Sequence, residues 1–236
     1  MRGEGDVLQA RIDYDQRKSA NLYRLLRSRF DWMNQYVGPD SLGIDVGCGA
    51  GFSVEFIRCK KLLLTDFAQH DYLDVQGVDA LHLPFADHSL DFVVASNMIH
   101  HLPVPMDFLA ESRRVLRPGG YLLLFEVQAS WLFQAVLRLM RHEGYSFNVD
   151  VFDKNSICTD PDDLWAGNNA IPGWEIVRDE PCECLMFLNS GGVTAKTFYV
   201  PLPKPILKGV ELLDDVLAKL APNAFALGRK IALKRL

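Results

Sequence analysis

The densest chemistry in this chain lies at Gly47-Cys48-Gly49-Ala50-Gly51, directly after the short β-prone run 41–46. Alternating glycines allow dihedrals that a Cβ forbids and let the backbone approach a bound molecule closely. Asp45 stands two positions before the loop. A carboxylate there repels a phosphate, but can orient loop amides or meet a cationic cofactor. The dinucleotide fingerprint Gly-x-Gly-x-x-Gly wants its third glycine one residue later, where this chain has Phe52. No Gly-Lys-Ser/Thr follows, so the loop is not a P-loop. Asp66 ends a second apolar run at 61–65, a place where a carboxylate accepts ribose hydroxyls in nucleotide-binding α/β folds. Asp79 precedes the kinked apolar segment 80–85, where it can accept from an adenine amino group while Leu81 packs on the ring.

Groups able to move a proton come later. His100 and His101 follow the apolar run 90–96, and a histidine near its free pKa suits a general base. One of the two is expected to face a pocket, with His100 on the substrate side and His101 structural or cofactor-side. Glu126, at the end of the run 121–127, is the second candidate base. No paired carboxylates, metal cluster or Ser-His-Asp arrangement can be placed. Asn97-Met98-Ile99-His100 lacks the Pro-Pro-Tyr/Phe that follows the Asn of DNA amino methylators. Pro181-Cys182 comes too late for attack on a pyrimidine ring.

The elements that must position these groups are legible as apolar runs. Strands are expected at 41–46, 61–65, 72–78, 90–96 and 121–127, and near-continuous apolar strands alternating with helices indicate a parallel sheet covered on both faces. Helical spacing predicts helices over 19–36, after Gly51, over 108–116, over 131–140 and over 206–220. The helix after Gly51 should turn Phe52, Val54, Phe56 and Ile57 inward. The helix 206–220 should bury Leu207, Val210, Leu213, Val216, Leu217 and Leu220, covering the sheet or forming a dimer surface. Further strands are expected at 174–177, 184–188 and 224–233. The stretch 143–173 reads as a long lid or substrate wall.

Length and composition bound the rest. The chain has 236 residues, 49% hydrophobic and 23% charged, which suits one large domain and is not disordered. It is read as a single domain over 1–236, with a helical cap at 1–40, a core at 41–127 and a substrate-side insertion at 143–173. With 25 Lys plus Arg against 30 Asp plus Glu the net charge is −5, opposite in sign to a nonspecific nucleic-acid binder. Five cysteines are not a disulfide framework, and Cys182-Glu183-Cys184 has no matched second pair for a metal. No apolar run is long enough to span a bilayer and no signal peptide is evident, so a cytoplasmic protein is expected.

Taken together, the segments 44–51, 83–91, 96–102 and 116–122 resemble the class I S-adenosylmethionine-dependent methyltransferases, in the broad small-molecule group called methyltransferase type 11. The resemblance covers about 41–127. It implies an α/β Rossmann-like fold with a mostly parallel seven-stranded sheet, the last strand antiparallel. It implies S-adenosylmethionine as cofactor and S-adenosylhomocysteine as product. By the same resemblance Asp45 lies near the methionine amino end, the backbone of Gly47, Cys48, Gly49 and Gly51 wraps the methionine part, and Asp66 takes the ribose hydroxyls. Asp79 and Ala80 match the pair beside the adenine, Phe67 and Leu81 are further cofactor-binding residues, and Ser96 and Asn97 border both cofactor and acceptor. The stretch from Asp66 to Asp79 is short for the family, so the second crossover helix is expected to be one turn or lost.

The implied reaction is methyl transfer to a small-molecule, lipid or sugar-intermediate acceptor by a monomer or homodimer that does not act on DNA. Tyr14, Tyr23, Tyr145, Phe147, Trp165 and Asn168 are candidates to line the acceptor side. Alternatives are a protein or RNA methyltransferase, a catalytically inactive cofactor-binding or complex-partner protein, and, more remotely, a nicotinamide oxidoreductase.

Overall fold

A computed structural model describes residues 7–17, 19–128, 130–140, 173–192 and 197–236. The candidate residues Tyr145, Phe147, Trp165 and Asn168 lie outside them. The described chain groups into two compact units, each taken by itself below.

The unit built on 30–126, with 173–179 and 230–236, carries the sheet. Its strands are β1 (Leu42–Val46), β2 (Lys61–Asp66), β3 (Val75–Gln76), β4 (Leu90–Ser96), β5 (Leu116–Val127), β6 (Trp174–Cys182) and β7 (Gly228–Arg235), in the order β3-β2-β1-β4-β5-β7-β6. β1 pairs in parallel with β2 and β4, β2 with β3, and β4 with β5, while β7 is the antiparallel strand. The order reverses between β1 and β4. In open α/β sheets this switch leaves a crevice at the carboxyl ends of the two strands. β1 and β4 are buried along nearly their whole length because Ile44, Val46, Val93 and Ala95 pack into one core with Phe108, Leu109, Leu122, Leu124, Trp174 and Ile231.

Both crossovers on the β1-to-β3 side are cut short. The chain between Val46 and Lys61 has no room for the glycine loop and a full helix, and forms a single 3₁₀ turn, Phe52–Glu55. Phe56 and Ile57 are buried as expected, but Val54 faces solvent. Residues 30–36 fill the space: the ring of Phe30 stacks on Phe56 with centroids 6.1 Å apart. Asn34 donates to the Phe56 carbonyl at 2.9 Å and accepts from the Arg58 amide at 2.7 Å. The helix between β2 and β3 is absent, as the short spacing implies. α3 (Pro105–Val115) covers the core between β4 and β5 and begins on a proline at its first turn, where a missing N–H costs nothing.

The other unit draws on 7–29, 127–140 and 180–229 and holds α1 (Val7–Arg17), α2 (Ala20–Phe30), α4 (Trp131–Met140), α5 (Leu185–Leu188), α6 (Lys204–Leu220) and α7 (Pro222–Phe225). Arg29 forks onto Glu183 with two bonds of 2.8 Å, a pairing that lets both charges be buried. Residues 184–188, expected as a strand, form the one-turn helix α5. The carboxylate of Asp214 explains this: it accepts the amides of Cys184, Leu185 and Met186, the donors that a helix start leaves unpaired. α6 forms as expected but is rotated. Asp214 and Ala218 are buried, and Leu213, Val216 and Leu220 face solvent. Among the described residues no helix is long and apolar enough to cross a membrane.

Candidate functional site

The glycine loop leaves β1 with Gly47, Gly49 and Gly51 at φ of +64°, +53° and +68°. These are left-handed dihedrals that side chains resist. At Gly47 space is also decisive, since a Cβ there would lie 2.4 Å from Cγ of Met98. The ends of β1 and β4 therefore adjoin, with the loop from one against the turn from the other. The Cys48 amide donates to the Thr65 carbonyl at 3.1 Å and holds the loop to β2.

Three side chains fix this loop. Asp66 accepts the Gly49 amide at 2.9 Å with one oxygen and the Ala68 amide at 3.0 Å with the other. Each carboxylate oxygen keeps a further lone pair for a ligand hydroxyl. Tyr72 donates its hydroxyl to the Gly49 carbonyl at 2.5 Å, and its ring stacks on His70. Asp45, fully buried beneath the loop, accepts the Ser53 hydroxyl at 2.5 Å through Oδ2. Its Oδ1 is buried with no hydrogen-bond partner. Burial pushes the Asp45 carboxyl up to about 7, the Ser53 bond works against that, and the charge of Asp66 adds to it.

A buried carboxylate oxygen without a donor is costly unless something donates to it. The amino group and positive charge of a methionine-type cofactor supply both a donor and a counter-charge. The residues present thus fit S-adenosylmethionine: an acid oxygen that lacks a donor, a braced acid with lone pairs to spare for hydroxyls, and a half-buried glycine loop.

The rim below this loop is less uniform. Phe67 is 74% exposed. Asp79 is exposed, and its carboxylate takes the Leu81 amide at 2.9 Å and His82 at 3.0 Å. Those bonds hold it below the usual carboxylate range and spend it on a turn. Ala80 is buried and Leu81 half-buried. Ser96 ends β4, and Asn97 turns the chain at φ +52° with its amide on the Phe125 carbonyl.

That turn delivers the proton-moving groups. Glu126 is buried at the end of β5, and its Oε1 accepts the Met98 and Ile99 amides, both at 2.9 Å. Its Oε2 lies 2.7 Å from Nδ1 of His100. A carboxylate only accepts, so Nδ1 carries the proton and Nε2 is left as the basic nitrogen. Burial opposes charge on the ring, but the charge and hydrogen bond of Glu126 outweigh it and hold His100 above the ordinary imidazole range. His101 is exposed, its ring 4.2 Å from that of His100.

The sheet unit thus brings together Asp45, the glycine loop, Asp66, Ser96, Asn97, His100 and Glu126. Tyr14 and Tyr23 belong to the other unit, where Tyr14 is buried and Tyr23 is 47% exposed. The sequence reading missed Ser53 and Tyr72. Ser53 was findable, because the loop's acid needs a partner. The sequence marks Tyr72 only as the start of a strand expected over 72–78, which the structure shortens to Val75–Gln76. Among the described residues no group of His, Cys, Asp and Glu could hold a metal ion.

Comparison with known proteins finds methyltransferases. Residues 44–124 match the family described as a methyltransferase domain. The ubiquinone/menaquinone biosynthesis C-methyltransferase of Roseobacter denitrificans is 40% identical over 150 residues, covering 56% of this chain and 58% of that protein. The sterol 24-C-methyltransferase of Schizosaccharomyces pombe is 29% identical over 135 residues, covering 50% and 35%. The chain therefore spans between about a third and three-fifths of the length of these two relatives. A solved S-adenosylmethionine-dependent methyltransferase from Archaeoglobus fulgidus shares the fold with a TM-score of 0.55 at 16% identity, over 95% of this chain and 98% of that one.

Proposed function

We propose that this chain, whose sequence and fold are those of a class I S-adenosylmethionine-dependent methyltransferase, transfers a methyl group to a small-molecule acceptor, with lipids and sugar intermediates as the favoured classes. One observation carries the reading: the buried Asp45 whose Oδ1 lacks a donor beneath a half-buried glycine loop. The names of the quinone and sterol relatives favour a lipid-like acceptor.

S-adenosylmethionine, when bound, supplies a methyl on a sulfonium, an electrophile that needs no activation by the protein. The chain's residues do the positioning. Asp45 answers the cationic end. The amides and carbonyls of 47–51 line the methionine portion. Asp66 takes the ribose hydroxyls while its bonds to Gly49 and Ala68 keep it in place. Ala80, Leu81 and Phe67 offer apolar surface to the base.

An acceptor that holds a proton at neutral pH must lose it as the new bond forms. Nε2 of His100 takes it. Glu126 does not touch the acceptor in this scheme; it fixes the tautomer and balances the imidazolium that forms. Glu126 is thus a positioning residue rather than an alternative base. We read the protein as a cytoplasmic monomer or homodimer.

The test is transfer of a labelled methyl from S-adenosylmethionine to quinols, sterols and sugar intermediates, with His100→Ala as the comparison. Product with one acceptor class, lost in the variant, supports the scheme. Cofactor binding without transfer to any small molecule would turn it toward a macromolecular acceptor or an inactive binding protein.

A further inference from the structure

The exposed face of α6 is not what an ordinary surface helix presents. Ile206, Leu212, Leu213, Val216 and Leu220 are 53%, 68%, 47%, 44% and 80% exposed. At 3.6 residues per turn they fall on one arc of about 120°. From Ile206 to Leu220 the arc runs about 21 Å along the helix. Gly209 lies inside it, and a Cβ there would meet nothing within 4 Å. The opposite side, with Leu207, Asp214 and Ala218, is the buried one.

The exposed charges beside the arc are mostly positive. Of the three carboxylates on α6, Glu211 is paired to Arg24 at 2.5 Å and Asp214 is buried under three backbone amides. Asp215 is the exposed one, and at helical spacing it falls on the same flank as Lys204, Lys208 and Lys219, three ammonium groups against one carboxylate. The lysines are all exposed, and Lys208 and Lys219 border the arc beside Leu212. Phe198, 79% exposed, precedes the helix.

We propose that this face of α6 docks on an anionic phospholipid bilayer. An apolar arc edged by lysines is the form of a helix that lies in the headgroup plane, with its side chains in the acyl boundary and its ammonium groups at the phosphates. The excess of lysines on this flank is what favours a lipid surface over a second copy of the chain. A self-interface would bring like-charged lysine edges together, whereas anionic headgroups complement them. The inference goes beyond the methyl-transfer reading and does not need it. If both hold, the enzyme meets a membrane-resident acceptor where it lies.

The test is co-sedimentation of the full chain with extruded vesicles of phosphatidylcholine alone and of phosphatidylcholine with phosphatidylglycerol. The expected result is binding to the anionic vesicles that weakens with salt, and at least about tenfold weaker partitioning for Leu213→Glu/Leu220→Glu. Lys208→Glu/Lys219→Glu should lose the anionic preference. These side chains are exposed, so folding of the variants is expected to survive, and circular dichroism with cofactor titration checks it. Absence of binding by the parent chain, or equal binding by the folded arc variant, overturns the proposal. So does a dimer by light scattering that the arc variant dissociates, with no vesicle binding. Cofactor binding without vesicle binding sinks only this inference; vesicle binding without cofactor binding sinks only the methyl-transfer reading.

Discussion

Nδ1 of His100 sits 2.7 Å from Oε2 of Glu126, while Oε1 of the same carboxylate accepts the two backbone amides that lead into the histidine. One buried acid therefore fixes both the path of the chain and the tautomer of the histidine. Because Glu126 holds the ring above its ordinary range, the rising limb of kcat/KM against pH should lie above about 6.5. Glu126→Gln turns an amide toward Nδ1 and leaves burial unopposed, so the limb should move to lower pH and the rate should fall. His100→Ala should cost about 10²–10⁴-fold in kcat for an acceptor with a proton to lose. An unmoved limb in Glu126→Gln would contradict the assignment. The same pair adds stability that is present below about 6.5 and lost as pH rises through the raised folded value.

Asp45 gives a pH dependence of the same sense for a different reason. Its folded pKa of about 7 lies above the ordinary value, so the protonated form favours the fold. That stability is present below about 3.9 and lost as pH rises through about 7. Asp45→Asn should melt higher than the parent above neutrality and no higher in acid, yet bind cofactor more weakly. Cofactor binding near neutrality should release a proton, read as a dependence of the calorimetric enthalpy on the buffer's ionisation enthalpy. Equal heats in all buffers would count against a titrating Asp45.

Tyr72→Phe tests the bracing of the loop across the missing crossover helix. It removes only the hydroxyl that donates to the Gly49 carbonyl. The expected loss is about 0.5–1.5 kcal/mol of stability, with a several-fold weaker cofactor. Thermal melts and cofactor titration read both, and a full-affinity Tyr72→Phe would show the brace to be idle.

Gly47→Ala should fail for two separable reasons. Its φ of +64° is strained for alanine, and its Cβ would press on Met98. The dihedral alone costs about 1–2 kcal/mol. Measured against Met98→Ala as the parent, Gly47→Ala should cost only the dihedral part, because the Cγ it would press on is gone. An unchanged melting temperature in that background would mean that the dihedral strain is negligible.

What the sequence made legible was local. β1, β2, β4 and β5 could be placed because each is a run of apolar residues ending in a marked turn, and Asp45 and Asp66 could be placed because they end or border those runs. Three features escaped. The helix expected after Gly51 shrinks to one turn because Phe30 and Asn34, from an earlier segment, occupy its place. Residues 184–188 have strand-like apolar spacing, but Asp214, distant in sequence, caps them into a helix. In α6 the periodicity was right and the facing wrong, because the buried side is chosen by Asp214 and its three amides rather than by the leucines. Long-range polar satisfaction leaves no periodic trace in a sequence.

Methyl transfer by this chain requires cofactor binding, so calorimetric titration of the full chain with S-adenosylmethionine and S-adenosylhomocysteine, with NAD as control, is the decisive measurement. The prediction is micromolar binding of the first two, none of NAD, and loss of binding in Asp66→Ala while its circular dichroism stays native. A folded parent chain that binds neither compound, or that prefers NAD, would contradict it.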